Sequence, residues 1–195
     1  MSWKVGITGG IGSGKSTLCR LFQARGVAVY DTDAAAKRLM VEQPALREAI
    51  QAHFGAASYC GGELNRPYLA QRVFADPEQR ALLNSLVHPA VLADFEQWAE
   101  EQAGEYVILE SAILFEAGLD KHVDRTVAVL APERLRIERT MQRDGASEEQ
   151  VRSRMAAQAD DDTLRARADI SVVNIFEEEL ESIVQELDFR FKNRM

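Results

Sequence analysis

Hydrophobic residues fall along this chain in two rhythms. Short, mostly apolar runs at residues 3–8, 27–30, 105–110, 125–130 and 170–174 alternate with longer stretches whose apolar residues recur at helical spacing. Runs of that length and character suit strands of a parallel sheet covered on both faces. Strand alternating with helix predicts an α/β fold around a five-stranded parallel sheet. The first helix is expected over about residues 15–25, with Leu18, Leu21 and Phe22 at helical spacing and Gly26 as its stop. The last is expected from about Phe176, with Phe176, Leu180, Ile183, Val184, Leu187 and Phe191 along one core-covering face.

Residues 34–103 break the alternation: they show helical segments and no convincing buried strand. Pro44 opens one helix carrying Leu46, Ile50 and Phe54. Asp76-Pro77-Glu78-Gln79 opens another, with an N-cap, a first-turn proline and a capping-box glutamine. Its apolar face runs from Leu82 to Trp98 and is interrupted by His88-Pro89, where a kink or short break is expected. His88 either faces a cleft or is a satisfied structural histidine. After the fourth strand, Pro132 starts a helix ending near Asp144-Gly145, and the capping box Ser147-Glu148-Glu149-Gln150 opens another running through Met155 toward Gln158. The domain reading is a core of residues 1–33, 104–133 and 168–195, a helical insertion over 34–103, and a charged helical lid over 134–167. Residues 111–119 are too apolar for an exposed loop, so something should cover them.

The chemistry begins directly after the first strand. Gly9-Gly10-Ile11-Gly12-Ser13-Gly14-Lys15-Ser16-Thr17 fits G-x-x-x-x-G-K-[ST], a loop whose glycines let successive backbone N–H groups converge on an anion at a helix N-terminus. Residues Gly10 to Thr17 are thus expected to bind a nucleoside triphosphate, Lys15 reaching its terminal phosphates and the Ser16 hydroxyl ligating Mg²⁺. The second strand ends in Asp31-Thr32-Asp33, beyond the carboxyl edge of the sheet where ligands of open α/β folds lie. If the extended conformation persists, Val27, Val29, Asp31 and Asp33 share one side; each acid either serves chemistry or caps a helix beginning near Ala34. Glu110 ends the third strand, either as a magnesium-side carboxylate or as a solvated end. The helix after the fourth strand carries Arg134, Arg136, Arg139 and Arg143, the last three at i, i+3, i+7 on one face. They form either a solvated face paired with Glu133 and Glu138 or a phosphate clamp; bidentate guanidinium chemistry favours the clamp in a triphosphate-binding chain.

Charge and composition narrow the partners. A net charge of −8 over 195 residues disfavours general binding to nucleic acid or an anionic membrane, so a polyanionic ligand must meet local arginines and lysines. Cys19 and Cys60 lack metal or redox spacing and read as free thiols, Cys19 structural. With strand residues beginning at Trp3 and no apolar run long enough to span a bilayer, a cytoplasmic protein without a signal peptide is expected.

Taken together, residues 6–17, Asp31-Thr32-Asp33, Val73-Phe74-Ala75-Asp76-Pro77, His88-Pro89, Leu114-Phe115-Glu116, Arg139-Thr140-Met141-Gln142-Arg143-Asp144, Ala157-Gln158 and Asn174 run in an order that resembles the dephospho-CoA kinase family. One departure is visible: the family commonly has a proline before its Leu-Leu-Phe-Glu segment, where this chain has Ala112-Ile113-Leu114. The resemblance implies a three-layer P-loop NTPase fold and ATP-dependent phosphorylation of the ribose 3′-hydroxyl of dephospho-CoA, the last step of coenzyme A synthesis, with Mg²⁺ and no obligate protein partner. It implies that Asp33 accepts the proton of the acceptor hydroxyl, that Asp31 supports Mg²⁺ or the loop, and that Lys15, Arg139 and Arg143 neutralise charge in the transfer. It further implies that Arg66, Arg72 and His88 belong to the acceptor-binding insertion and that Asn174 borders the adenine. Other readings of the same core are a nucleoside or nucleotide kinase, and a nucleotide-dependent switch; the switch expects an Asn-Lys-x-Asp run, which the sequence lacks.

Overall fold

The computed structural model describes residues 2–195, the side chains of Ala75 and Glu177 excepted. Strand β1 (Trp3–Thr8) leads through a glycine-rich loop into α1 (Lys15–Ala24), and the chain returns as β2 (Ala28–Asp31). Helices α2 (Thr32–Glu42) and α3 (Pro44–Phe54), a small hairpin of β3 (Tyr59–Cys60) and β4 (Glu63–Leu64), and helices α4 (Arg66–Ala75) and α5 (Pro77–Glu100) follow. The remainder is β5 (Tyr106–Glu110), β6 (Arg125–Leu130), α6 (Glu133–Asp144), α7 (Glu148–Met155), α8 (Asp161–Arg167), β7 (Ile170–Val173) and α9 (Leu180–Lys192). These elements divide into two compact units, Met1–Asp31 with Ala99–Met195, and Thr32–Trp98. No helix among the described residues is long and apolar enough to cross a membrane.

In the first unit the five long strands form one parallel sheet in the order β2-β5-β1-β6-β7. All five residues of β5 are buried, as a parallel strand covered on both faces requires. On one face, Val5, Ile7, Ile108, Val127 and Val129 pack with Leu18 and Phe22 of α1 and Leu180, Val184, Leu187 and Phe191 of α9. On the other, Leu114 lies so close to β1 that a Cβ on Gly6 would stand 2.9 Å from its methyl group, which gives the apolar 111–119 segment its cover. Helix α8 packs on β6. The sheet is thus the middle of three layers, with β1 at its centre. The connection leaving β1 runs toward β2 and the one leaving its neighbour β6 runs the opposite way toward β7, which opens a ligand crevice beyond the carboxyl ends of these two strands.

The second unit buries Leu46, Ile50 and Phe54 of α3, as the spacing predicts, together with Tyr59, Leu69, Val87, Val91 and Phe95. The Tyr59 hydroxyl donates to the Met40 carbonyl at 2.6 Å and that of Tyr68 to the Phe54 carbonyl at 2.8 Å.

Several expectations about local structure are corrected. The β2 strand ends at Asp31 and α2 starts at once at Thr32, so Asp33 lies in the first helical turn and does not continue the strand face; an acid there meets the positive end of the helix dipole. Of the kink or short break expected at His88-Pro89, the break is absent, since helix α5 continues through Pro89. A mid-helix proline costs about 3 kcal/mol, but burying Val87, Val91 and Phe95 recovers roughly 1.5–3 kcal/mol apiece. The insertion also contains the β3–β4 hairpin, turned by Gly61 and Gly62 at φ 59° and 94°, the positive values a two-residue hairpin turn needs. The residues expected to form a two-helix lid contain a third helix, α8. Phe176 precedes α9 and is 58% exposed, so it takes no part in the core face that Leu180, Val184, Leu187 and Phe191 form.

Candidate active site

The loop between β1 and α1 is shaped by backbone that other residues could not adopt. Gly12 and Gly14 have φ of 78° and 92°, and a Cβ on either would stand 2.3 Å from the Arg136 carbonyl oxygen or 2.0 Å from Asn174 Nδ2. The Ser13 N–H donates to the Gly10 carbonyl at 3.1 Å, and Asn174 Nδ2 donates to the Ser13 carbonyl at 2.8 Å. Asn174 therefore braces the loop from the end of β7. Helix α1 begins at Lys15, so its unsatisfied N–H groups and its positive dipole end lie at the loop.

Lys15 Nζ and Ser16 Oγ both donate to Oε1 of Glu110, at 2.7 and 2.6 Å. Glu110 ends β5, in register with Ile7 of β1 on one side and Asp31 of β2 on the other. Burial by itself would raise the Glu110 carboxyl. The Lys15 ammonium and hydrogen bonds from Lys15, Ser16 and Cys19 outweigh it and hold the group below the usual carboxylate value. The buried Cys19 thiol is pushed well up, first by burial and then by the neighbouring Glu110 charge, so it stays protonated, in keeping with a structural free thiol. One carboxylate thus holds the two side chains that the loop motif assigns to phosphate and metal.

Arg139 reaches the end of β7, its guanidinium donating to the carbonyls of Asn174 and Ile175, each at 3.2 Å. Arg143 is exposed and paired with Asp144, which also takes Arg154. Arg136 is 5% exposed and lies against the loop. The three arginines predicted on one face of α6 therefore have three different environments.

In the second unit, Asp33 is exposed in the first turn of α2, and Arg66 opens α4. Arg72 stacks over the Tyr68 ring at 4.8 Å. His88 is half-buried on α5, and burial lowers its pKa. The first unit thus brings together Gly10 to Thr17, Asn174 and Arg139; Arg143 turns to Asp144. The contacts of Glu110, Arg136 and Gln158 go beyond the roles that spacing suggests. For Glu110 the signal was its strand-end position, for Arg136 its place on the arginine face, and for Gln158 only its membership of a family-like stretch.

Among the described residues no group of three or more His, Cys, Asp or Glu side chains is arranged to hold a metal by itself. A Ser16 hydroxyl beside the Glu110 carboxylate, with Asp31 next to it in register, is a set of hard oxygen donors. Such a set suits Mg²⁺, which takes one or two protein ligands alongside phosphate oxygens and water.

A model of the dephospho-CoA kinase family matches residues 3–179. A dephospho-CoA kinase of Salinibacter ruber is 48% identical over 169 residues, 85% of each chain. A Thermus thermophilus protein of known crystal structure is 34% identical and aligns over 96% of both chains with a TM-score of 0.86. A dephospho-CoA kinase from Campylobacter jejuni, 22% identical, shares the fold over the whole of both chains with a TM-score of 0.73. With a family model spanning most of its length and a relative this similar, the chain belongs to the dephospho-CoA kinase family.

Proposed function

We propose that this chain, a kinase that phosphorylates dephospho-CoA with ATP, performs the transfer to the ribose 3′-hydroxyl with a donor site built on the loop from Gly10 to Thr17. The observation that carries this reading is the convergence of Lys15 and Ser16 on Glu110 at the N-terminus of α1. Phosphoryl transfer passes through a loose transition state, so positioning and charge neutralisation supply most of the rate. Lys15 has three N–H donors and can keep its bond to Glu110 while reaching the terminal phosphates. Asn174 borders the adenine, and Arg139 and Arg143 add positive charge from α6. Ser16, Asp31 and Glu110 hold Mg²⁺, which when bound neutralises charge on the phosphate oxygens. Asp33 accepts the proton of the acceptor hydroxyl, and Arg66, Arg72 and His88 bind the acceptor.

A coupled assay supplying ATP with dephospho-CoA, with AMP or with no acceptor tests the reaction. Turnover with dephospho-CoA alone is expected; equal turnover with AMP points to a nucleotide kinase, and turnover without acceptor to a hydrolytic switch. Asp33→Asn is expected to lower kcat by about 10²–10⁴-fold, the usual span for general-base removal. Near-normal turnover in Asp33→Asn together with loss in Asp31→Asn reverses the two assignments.

A further inference from the structure

Ile11, in the middle of the phosphate loop, is held by both of its backbone polar groups. Its N–H donates to Oε1 of Gln158 at 2.8 Å, and its carbonyl accepts from Nε of Arg136 at 3.0 Å. Neither partner belongs to the loop or to the strand and helix that flank it. Arg136 comes from α6 and Gln158 from the connection between α7 and α8.

Both partners are themselves fastened. The Arg136 guanidinium is almost wholly buried, and its Nη1 donates to Asp161 Oδ1 at 2.6 Å, at the start of α8. A Cβ on Gly10 would stand 2.1 Å from Arg136 Nη2, so the guanidinium occupies the space a side chain at that position would fill. Next to Gln158, the Ala159 N–H donates to Glu116 Oε1 at 2.8 Å, tying the same connection to the 111–119 segment. Thr140 Oγ1 donates to the Arg136 carbonyl at 2.7 Å, and that carbonyl oxygen is the atom that would meet a Cβ on Gly12.

We propose that Arg136 and Gln158 are positioning residues for the nucleotide: they fix the Ile11 peptide groups, and with them the conformation in which the phosphate loop presents its later amides to the triphosphate. A loop in which Gly9, Gly10, Gly12 and Gly14 alternate with only Ile11 and Ser13 has few side chains with which to restrain itself, and a glycine backbone loses more freedom on ordering than any other. Restraint from outside leaves less of that loss to be met when the anion binds. The Ile11 N–H is already satisfied by Gln158, which leaves the anion to the amides that follow. Arg136, its charge matched by Asp161 and its Nε committed to Ile11, therefore has a task different from the phosphate-facing one proposed for Arg139 and Arg143.

This inference rests on the reading of the loop as the ATP site, and the test separates the two. ATP affinity of the intact protein is measured by titration calorimetry, alongside kcat, the KM for each substrate and amide hydrogen exchange of Ile11, for the unsubstituted chain, Gln158→Leu and Arg136→Met. Gln158→Leu deletes the bond to the Ile11 N–H, and Arg136→Met deletes the bond to the Ile11 carbonyl together with the Asp161 ion pair, while both keep most of the side-chain bulk. Expected are a loss of ATP affinity and a rise in ATP KM of about tenfold each, the order of one hydrogen bond to a preorganised site, with the KM for dephospho-CoA unchanged. In Gln158→Leu the Ile11 amide exchanges faster. If both variants bind ATP as the unsubstituted chain does, the inference is overturned. Should Arg136→Met fail to fold, Gln158→Leu decides alone, with the partly exposed Gln158 far less exposed to that outcome. Absence of ATP binding by the unsubstituted chain overturns the phosphate-loop reading and this inference with it.

Discussion

At Glu110 a single carboxylate meets an ammonium and a hydroxyl in a nearly closed space, the Lys15 and Glu110 side chains being 13% and 9% exposed. A pair that sheltered depends on both partners, because removing one leaves a charge that water cannot reach. Its pH dependence has a definite sign. The Glu110 carboxyl lies below its ordinary value in the folded chain, so its contribution to stability is complete above about pH 4.3, the value of an unfolded glutamate, and is lost as pH falls through the folded value. Glu110→Gln should therefore lower stability at neutral pH and flatten the acid side of the stability curve. Urea unfolding between pH 3 and pH 7 reads both effects, and an acid limb identical to that of the unsubstituted chain would show that the Lys15–Glu110 pair contributes nothing to folding. Residues of this kind were only partly legible beforehand. The strand-end position points to Glu110, but the burial against Lys15 and Ser16 that rules out a solvated end depends on the pairing of β5 with β1, which no local pattern carries.

Among the elements, those that bury a continuous apolar run or face were readable from periodicity, and those decided by packing or by turn geometry were not. All five long strands, α1 with its stop at Gly26, and the Leu46, Ile50 and Phe54 face of α3 follow from hydrophobic spacing and helix-stop chemistry. The β3–β4 hairpin escaped because two-residue strands carry no periodic signal, and only the Gly61-Gly62 pair marked the turn. Helix α5 is the instructive case. Local propensity places a kink or a short break at Pro89, and burial on either side carries the helix through without a break. The cost of that proline should then be recoverable. Pro89→Ala restores a backbone donor in mid-helix and is expected to stabilise the chain by about 1–3 kcal/mol, a rise in Tm of roughly 2–4 °C per kcal/mol for a chain of this size. Calorimetry checks this, and a lowered Tm would mean that Pro89 sets a bend the surrounding packing needs.

For the molecule as a whole, ligand linkage gives the most direct test of where ATP binds, because it reads the folded state without requiring turnover. A ligand that binds only the native chain stabilises it by RT ln(1 + [L]/Kd), about 2.7 kcal/mol at a hundredfold excess over Kd. For 195 residues that corresponds to a Tm rise of roughly 5–11 °C. The loop, Asn174 and the α6 arginine that reaches it all belong to the unit formed by Met1–Asp31 and Ala99–Met195. ATP should therefore raise Tm in the absence of dephospho-CoA. Lys15→Ala should nearly abolish the rise, since it removes the charge placed for the terminal phosphates, while Asp33→Asn should leave it intact, because Asp33 is assigned to the acceptor's proton and not to the donor. This pairing separates donor binding from catalysis within one measurement. A full ATP-induced rise in Lys15→Ala would remove the phosphate loop from the donor site. Loss of the rise in Asp33→Asn would instead move Asp33 from the acceptor side to the nucleotide side.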